Sequence, residues 1–299
     1  MRWRASSTET MVTLLSPDRN DWRSRRWSGR KLIGLAFGAG LAVAVLSGCS
    51  RQKIADDFVE VPAETLYTEA VGLYNAGSYK QAAAKFEEVD RQHPYSSWAK
   101  KALLMSSFSH FRSGAYDDAE SAAERFLALH PGSEDAAYAQ FLIAQSHYVQ
   151  ISDIGRDQTE ARAALKAYTE ITRLYPESQY AVEAERKQDE LLNHLAGKEM
   201  EVGRYYMGQQ NYLAAVNRFK SVVADFQTTN NVEEALLRLT ECYLALGIVT
   251  EAQTAAAILG HNYPDSQWYK DAYALLQKGG LEPNEDRGSW LSRTWRRVT

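Results

Sequence analysis

The side chains that could act as nucleophiles, general acids or metal ligands are few and scattered along the chain. There are two cysteines, Cys49 and Cys242, and six histidines. No two histidines stand four residues apart with a glutamate between them, and neither cysteine has a partner at metal-ligand spacing. No nucleophile elbow or phosphate-binding loop occurs. We therefore expect no enzyme activity and no metal, and a protein that acts by binding.

Cys49 differs from Cys242 because of the residues that precede it. A cationic segment ends at Lys31 and leads into the uncharged stretch 32–48, the order of a secretory signal. The closing residues Leu46, Ser47 and Gly48 followed by a cysteine resemble the bacterial lipobox, in which small residues fit the signal peptidase and the thiol receives a lipid. We expect residues 1–48 to be a signal peptide and Cys49 to carry a covalent lipid, with no other cofactor.

A retained membrane helix is the alternative interpretation of the same apolar stretch. The stretch has 17 residues, four of them glycine, and lies at the short limit for crossing a bilayer. Lipid attachment is therefore favoured. Ser50 follows the cysteine, and a residue other than aspartate there is typical of lipoproteins sent to the outer membrane. The expected location is the outer membrane, facing the periplasm.

The distribution of charge excludes one class of partner. The formal net charge is −4, and residues 1–48 carry +5, so the remaining residues carry −9. Nucleic acids require a basic counter-surface, so an acidic body is not expected to bind them.

A repeated frame organises the body of the chain. Five times an alanine stands twelve residues before a helix-ending position, which is proline in four copies and Gln227 in the other. A tyrosine, phenylalanine or histidine precedes that position each time, and a second apolar residue lies eight before it. The ending positions are 37, 45, 51 and 37 residues apart, close to the roughly 34-residue period of a tetratricopeptide unit. The frame alanines are Ala82, Ala119, Ala164, Ala215 and Ala252.

This frame predicts an all-α, right-handed solenoid of the tetratricopeptide type, with about five helix-turn-helix units. After the signal peptide we expect a linker at 49–61 and units one to three at 62–177. A bridging helix with units four and five follows at 178–278. Beyond Gly279 and Gly280 the periodicity is lost, so residues 279–299 are predicted to be a flexible tail.

Aromatic residues and one irregular turn are the candidates for contact with partners. Tyr67, Tyr74, Tyr205 and Tyr206 either pack in the core, as repeat aromatics do, or line a groove that grips an extended peptide. The stretch 152–158 lengthens the turn inside the third unit. Within it, Arg156 and Asp157 either contact a partner or only pair with each other and pin the turn.

The order of lipobox and repeats, together with several local runs, resembles the BamD family of outer-membrane β-barrel assembly lipoproteins. The runs lie at 77–82, 94–95, 124–131, 156–158, 161–164, 175–180, 205–206 and 214–219. The resemblance implies that early units hold an unfolded barrel substrate, in particular its C-terminal segment. It also implies that later units dock on the integral barrel subunit (BamA-like), beside the other lipoproteins of the machine. Asn217 and Arg218 become candidate binding residues through the last of these runs.

A second function remains open at this point. Another periplasmic tetratricopeptide lipoprotein, acting in pilus assembly or in coordinating the cell wall and cell division, would share the lipobox and the repeats. It would lack the Tyr205-Tyr206 pair followed by the run 214–219.

Overall fold

The structure, a computed structural model, describes residues 60–296. The predicted signal peptide, Cys49 and most of the predicted linker therefore lie outside the described residues. Twelve helices and no strand are found between residues 60 and 296. They are α1 (Ala63–Asn75), α2 (Tyr79–Gln92), α3 (Ser97–Ser113), α4 (Tyr116–Leu129), α5 (Ala136–Tyr148), α6 (Thr159–Leu174), α7 (Ala181–Gly208), α8 (Tyr212–Asp225), α9 (Val232–Ala245), α10 (Val249–Asn262), α11 (Gln267–Lys278) and α12 (Trp290–Trp295).

The first ten helices form five pairs, each a first helix and a second helix of one unit. Every helix packs mainly against the helix before it and the helix after it, and the first helices of units one to three also contact one another. Packing between neighbours in sequence is the defining feature of a solenoid. The all-α tetratricopeptide-type solenoid is confirmed, and α11 packs on α9 and α10 as a helix closing its end.

The frame residues occupy the points of closest contact between helices. All five frame alanines are fully buried or nearly so, and so are the residues four positions later: Phe86, Ala123, Tyr168, Phe219 and Ala256. The second helices end just before the aromatic or histidine that precedes the frame's last position, and in four units that position is proline, which cannot continue a helix. The turns inside units one, two and five use Gly77, Gly114 and Gly247 at positive φ. In unit four the non-glycine residue Gln210 takes this role at φ 58°.

The burial of Ala82 leads to a stability prediction with a control in the same helix. Ala82 is fully buried between α2 and its neighbours, whereas Ala84 is exposed. Ala82→Leu should lower the free energy of unfolding by about 1–3 kcal/mol through overpacking, and Ala84→Leu should change it little. Urea unfolding of both variants checks this. Equal tolerance of the two substitutions would show that the repeat register is wrong.

Two histidines join consecutive units, a role that the sequence did not reveal. His110 on α3 lies 2.7 Å from Glu87 Oε1 on the preceding α2. His147 on α5 has Glu120 of α4 at 3.1 Å from Nε2 and Glu160 of α6 at 2.8 Å from Nδ1. A carboxylate from the preceding unit thus contacts an imidazole at equivalent places in units two and three.

The long helix α7 corresponds to the bridging helix predicted at the start of 178–278. It is the first helix of unit four, extended at its N-terminal end, and packs against α6 and α8. Gly203 permits this close packing, because a Cβ there would lie 2.8 Å from Phe219 Cζ. The predicted bridge and the first helix of unit four are therefore one continuous helix.

The prediction of a flexible tail is wrong for the described part of residues 279–299. The chain turns at Gly280 and runs along α10, where the Gln253 amide donates to Glu282 O at 2.7 Å. Helix α12 then packs on α8 and α10. The indole N–H of Trp290 donates to Tyr243 Oη at 3.0 Å, and Lys220 Nζ lies 4.2 Å from the centre of the Trp290 ring. Leu291 is fully buried. The few apolar residues of the C-terminal segment are enough to order it, because they pack into a surface already formed by units four and five.

Candidate partner-binding surfaces

Aromatic side chains of units one to three, together with Tyr180 directly before α7, form a continuous series of ring contacts, which we call the aromatic row. Neighbouring ring centres are 5.0–6.3 Å apart in tilted or edge-to-face arrangements. The row consists of Tyr79, Tyr74, Phe108, Tyr138, Tyr180, Phe141, Tyr168 and Tyr148. Five of these eight residues, including Tyr74 and Phe108, lie on the first helices α1, α3 and α5. A solenoid commonly presents such helices on the surface that binds extended partners.

The row is packed on one side and accessible on the other. Tyr168 is fully buried, while the remaining seven members are partly exposed. Burial raises the pKa of Tyr138 to about 12, so its hydroxyl stays protonated at neutral pH. Tyr74 therefore fits both interpretations, core residue and groove residue, because its ring packs inward and keeps an exposed edge.

Tyr67 lies beside this series rather than in it. Its ring centre is 5.4 Å from that of Phe86 and 4.9 Å from that of Trp98. Burial also raises the pKa of Tyr67, and the ring is partly exposed. Tyr67 thus extends the aromatic surface of unit one toward Trp98, where Lys101 Nζ lies 5.5 Å from the ring centre.

The turn inside unit three is ordered by a residue whose importance the sequence did not indicate. The side chain of Gln158 is buried, and its amide donates to Arg156 O at 3.0 Å and to Asp153 O at 3.2 Å. Asp157 accepts from Thr159 N at 3.2 Å at the start of α6, and hydrogen bonds with Thr159 lower the pKa of this carboxyl. Within the described chain Arg156 and Asp157 do not form the local ion pair that was one alternative. Both side chains are exposed.

The same turn is docked against α7. Lys198 Nζ donates to Gly155 O at 2.8 Å, and a Cβ at Gly197 would lie 2.5 Å from Ile154 Cδ1. Between the turn and α7 lies a cleft of about 650 Å³ lined in part by Tyr148 and His194. The turn is therefore a fixed platform that presents Arg156 and Asp157 to solvent.

Unit four presents a second surface on α7 and α8. Tyr205 is 62% exposed and its ring stands 5.7 Å from that of Tyr206, which packs against the core. Asn217 is exposed, and Arg218 pairs with Glu199 at 3.2 Å. Leu213 in the first turn of α8 is 65% exposed, although its sequence context did not single it out. The structure thus brings four candidate residues of unit four onto one helix pair.

Reactive and membrane-spanning features are also limited in the described chain. Cys242 is fully buried and burial raises its pKa to about 12, so its thiol stays protonated. Between residues 60 and 296 no helix combines the length and apolar character needed to cross a bilayer. In the same range no three histidine, cysteine or acidic side chains are arranged to hold a metal ion.

Comparison with known proteins identifies consistent relatives. Residues 59–259 match a family model described as outer membrane lipoprotein (YfiO). The outer membrane protein assembly factor BamD of Caulobacter vibrioides is 40% identical over 261 residues, covering 87% of this chain and 85% of its own. BamD of Rickettsia prowazekii is 39% identical over 247 residues, covering 83% and 97%. A tetratricopeptide protein of Thermus thermophilus aligns with TM-score 0.32 and 18% identity, covering 72% of this chain and 98% of its own.

Proposed function

Since this chain belongs to the YfiO/BamD family of outer-membrane protein assembly factors, we propose that its solenoid holds extended segments of unfolded β-barrel proteins. Assembly of outer-membrane proteins is the role of the family, and the proposal concerns how this chain contributes to it. The observation that carries the proposal is the aromatic row, which runs without interruption through units one to three.

An unfolded β-barrel strand suits such a row. Side chains of an extended segment alternate between two faces, and in a barrel strand one face is apolar. Partly exposed rings at regular intervals offer apolar contact to that face without selecting one sequence, and aromatic rings bury a large area for little loss of entropy. Each ring is already held by its neighbours, so little ordering is needed on binding.

The surface of unit four and the turn of unit three are proposed to dock on the integral barrel subunit. Tyr205 and Leu213 supply exposed apolar contact, and Arg218 and Asn217 supply polar contact at the rim. Arg156 and Asp157 on the fixed turn would add a charged contact. This division leaves the part of the row in units one and two free for the substrate, while the turn of unit three and unit four hold the machine and its other lipoproteins.

We further propose that the chain is held at the outer membrane by lipid on Cys49 and faces the periplasm. The lipobox-like end of the apolar stretch supports this attachment. A single acyl chain gives only marginal binding, so stable anchoring requires the multiple chains that bacterial lipoproteins carry. In this arrangement the protein acts by binding and positioning rather than by catalysis.

The proposal is tested by shortening two rings of the row. Phe108→Leu with Tyr138→Leu should weaken binding of a urea-unfolded β-barrel protein about tenfold, because central aromatic contacts dominate such interfaces. Tyr273→Leu on α11 is the control, since Tyr273 is exposed and outside the row. Binding is measured with the full-length acylated protein, and thermal unfolding shows that each variant is folded. Unchanged affinity in a folded double variant would reject the row as the substrate site.

A further inference from the structure

The aromatic row ends at a small cleft that differs in charge from other clefts on the described chain. The cleft has a volume of about 470 Å³ and lies between the α1–α2 turn and the end of α3. Its lining includes Lys80 and Arg112 and no carboxylate. Four other clefts between residues 60 and 296 each include at least one aspartate or glutamate in their lining. A cationic cleft is therefore set into a body that is acidic as a whole.

Arg112 is held in place by the row itself. Its guanidinium carbon lies 4.9 Å from the centre of the Tyr79 ring and 6.0 Å from the centre of the Phe108 ring. One guanidinium nitrogen donates to Tyr79 Oη at 2.9 Å. The aromatic rings fix the plane of the guanidinium and leave its other N–H groups directed away from Tyr79 Oη.

The positive charge of this cleft is not neutralised within the described chain. Arg112 and Lys80 form no ion pair there. By contrast, Lys85, five residues after Lys80 on α2, pairs with Glu69 at 2.8 Å. Ser78 and Ser113 add hydroxyl groups to the lining, and Ser78 makes no side-chain bond to the start of α2. Lys80 and Arg112 are donors only, whereas the hydroxyls can also accept, and the Ser113 hydroxyl already donates to His110 O at 2.8 Å.

We propose that this cleft binds a carboxylate of the extended segment held by the aromatic row, and so sets the register of that segment. The inference rests on the proposed function of the row. Guanidinium groups bind carboxylates through paired, charge-assisted hydrogen bonds, whose geometry specifies position more sharply than ring contacts do. The carboxylate is either the free C-terminus of the segment or an acidic side chain within it.

Three fluorescein-labelled peptides of alternating valine and tyrosine distinguish these sources. The first ends in a free carboxylate, the second in an amide, and the third in an amide with one internal glutamate. Binding to the full-length acylated protein is measured by fluorescence anisotropy. We expect the free acid, the internal glutamate peptide or both to bind about tenfold more tightly than the plain amide. Added salt should reduce this preference.

Arg112→Met tests whether the cleft is responsible, because methionine keeps an apolar side chain and removes the charge. The variant should bind all three peptides with the affinity of the plain amide. Arg162→Met is the matched control, since Arg162 is exposed on α6 away from the cleft, and it should retain the preference. Equal binding of the three peptides to the unaltered protein would overturn the carboxylate site while leaving the row intact. A preference that survives in Arg112→Met also overturns it, and failure of all three peptides to bind would overturn the row as well.

Discussion

Gly203→Leu should lower the free energy of unfolding by about 3 kcal/mol or more, the upper end of the range for overpacking a core. A Cβ at Gly203 on α7 would lie 2.8 Å from Cζ and 2.9 Å from Cδ1 of Phe219. Phe219 is fully buried on α8, so its ring has no open space to enter. The gain in helix propensity on replacing glycine is about 1 kcal/mol and does not offset the overlap. Urea unfolding of the purified protein measures the loss.

Gly208→Leu is the matched control because it makes the same substitution in the same helix. Apart from its chain neighbours and the backbone of its own helix, no atom lies within 4 Å of a Cβ at Gly208, so stability should be unchanged or slightly increased. Adding Phe219→Ala to Gly203→Leu should recover part of the loss, since the two sites share one space. If Gly203→Leu proved as stable as Gly208→Leu, the packing of α7 on α8 described above would be incorrect.

Cys49→Ser should abolish lipid attachment. The protein should then be found as uncleaved precursor or in the soluble fraction rather than as an acylated membrane protein. Serine lacks the thiol that accepts the lipid, and without it no described helix can hold the chain in a bilayer. Mass spectrometry of the N-terminal peptide and fractionation of cell envelopes measure the outcome. The effect is expected to be nearly complete because the chemistry requires the thiol.

Cys242→Ser controls for the loss of a cysteine as such. The chain has two cysteines, and Cys242 is buried with its pKa raised to about 12. This variant should remain acylated and membrane-bound. A mature protein beginning at a residue other than Cys49, or one that stays lipid-modified after Cys49→Ser, would refute the assignment of the anchor.

The repeat architecture could be predicted because it depends on local pattern. Ala82 and Phe86 on one helix, with Pro94 after it, specify close packing, groove filling and helix termination within a few residues of each other. The equivalent frames predict the second helices of the other units by the same reasoning. Where physical requirements repeat at fixed spacing, a single sequence is enough to recognise them.

The C-terminal segment could not be predicted in this way because its order depends on distant residues. Trp290 is ordered by Tyr243 and Lys220, and Ser289 donates to Glu251 Oε2 at 2.7 Å. Nothing within residues 279–299 indicates that units four and five provide a complementary surface. Local composition therefore suggested a flexible tail where tertiary contacts produce a helix.

The candidate sites also differ in whether local sequence or tertiary contacts determine them. Tyr74 and Tyr205 could be named from residue type, but their different surroundings, a ring row and an exposed helix face, follow from packing. The role of Gln158 escaped notice because its amide bonds to main-chain carbonyl groups, which carry no sequence signal. Arg112 escaped notice because its position depends on Tyr79, a ring contributed by another helix.

With the periplasmic location proposed above, the return of α12 onto units four and five has a consequence for the order in which the protein folds. Most contacts of the solenoid join neighbours in sequence, so early units can fold as they emerge from a translocation channel. The bond from Trp290 to Tyr243 spans 47 residues, so it forms only after unit five and the segment that follows it have emerged. Unit five therefore reaches its final stability only after Trp290 has left the channel, and until then a periplasmic protease would find its cleavage sites there rather than in unit one.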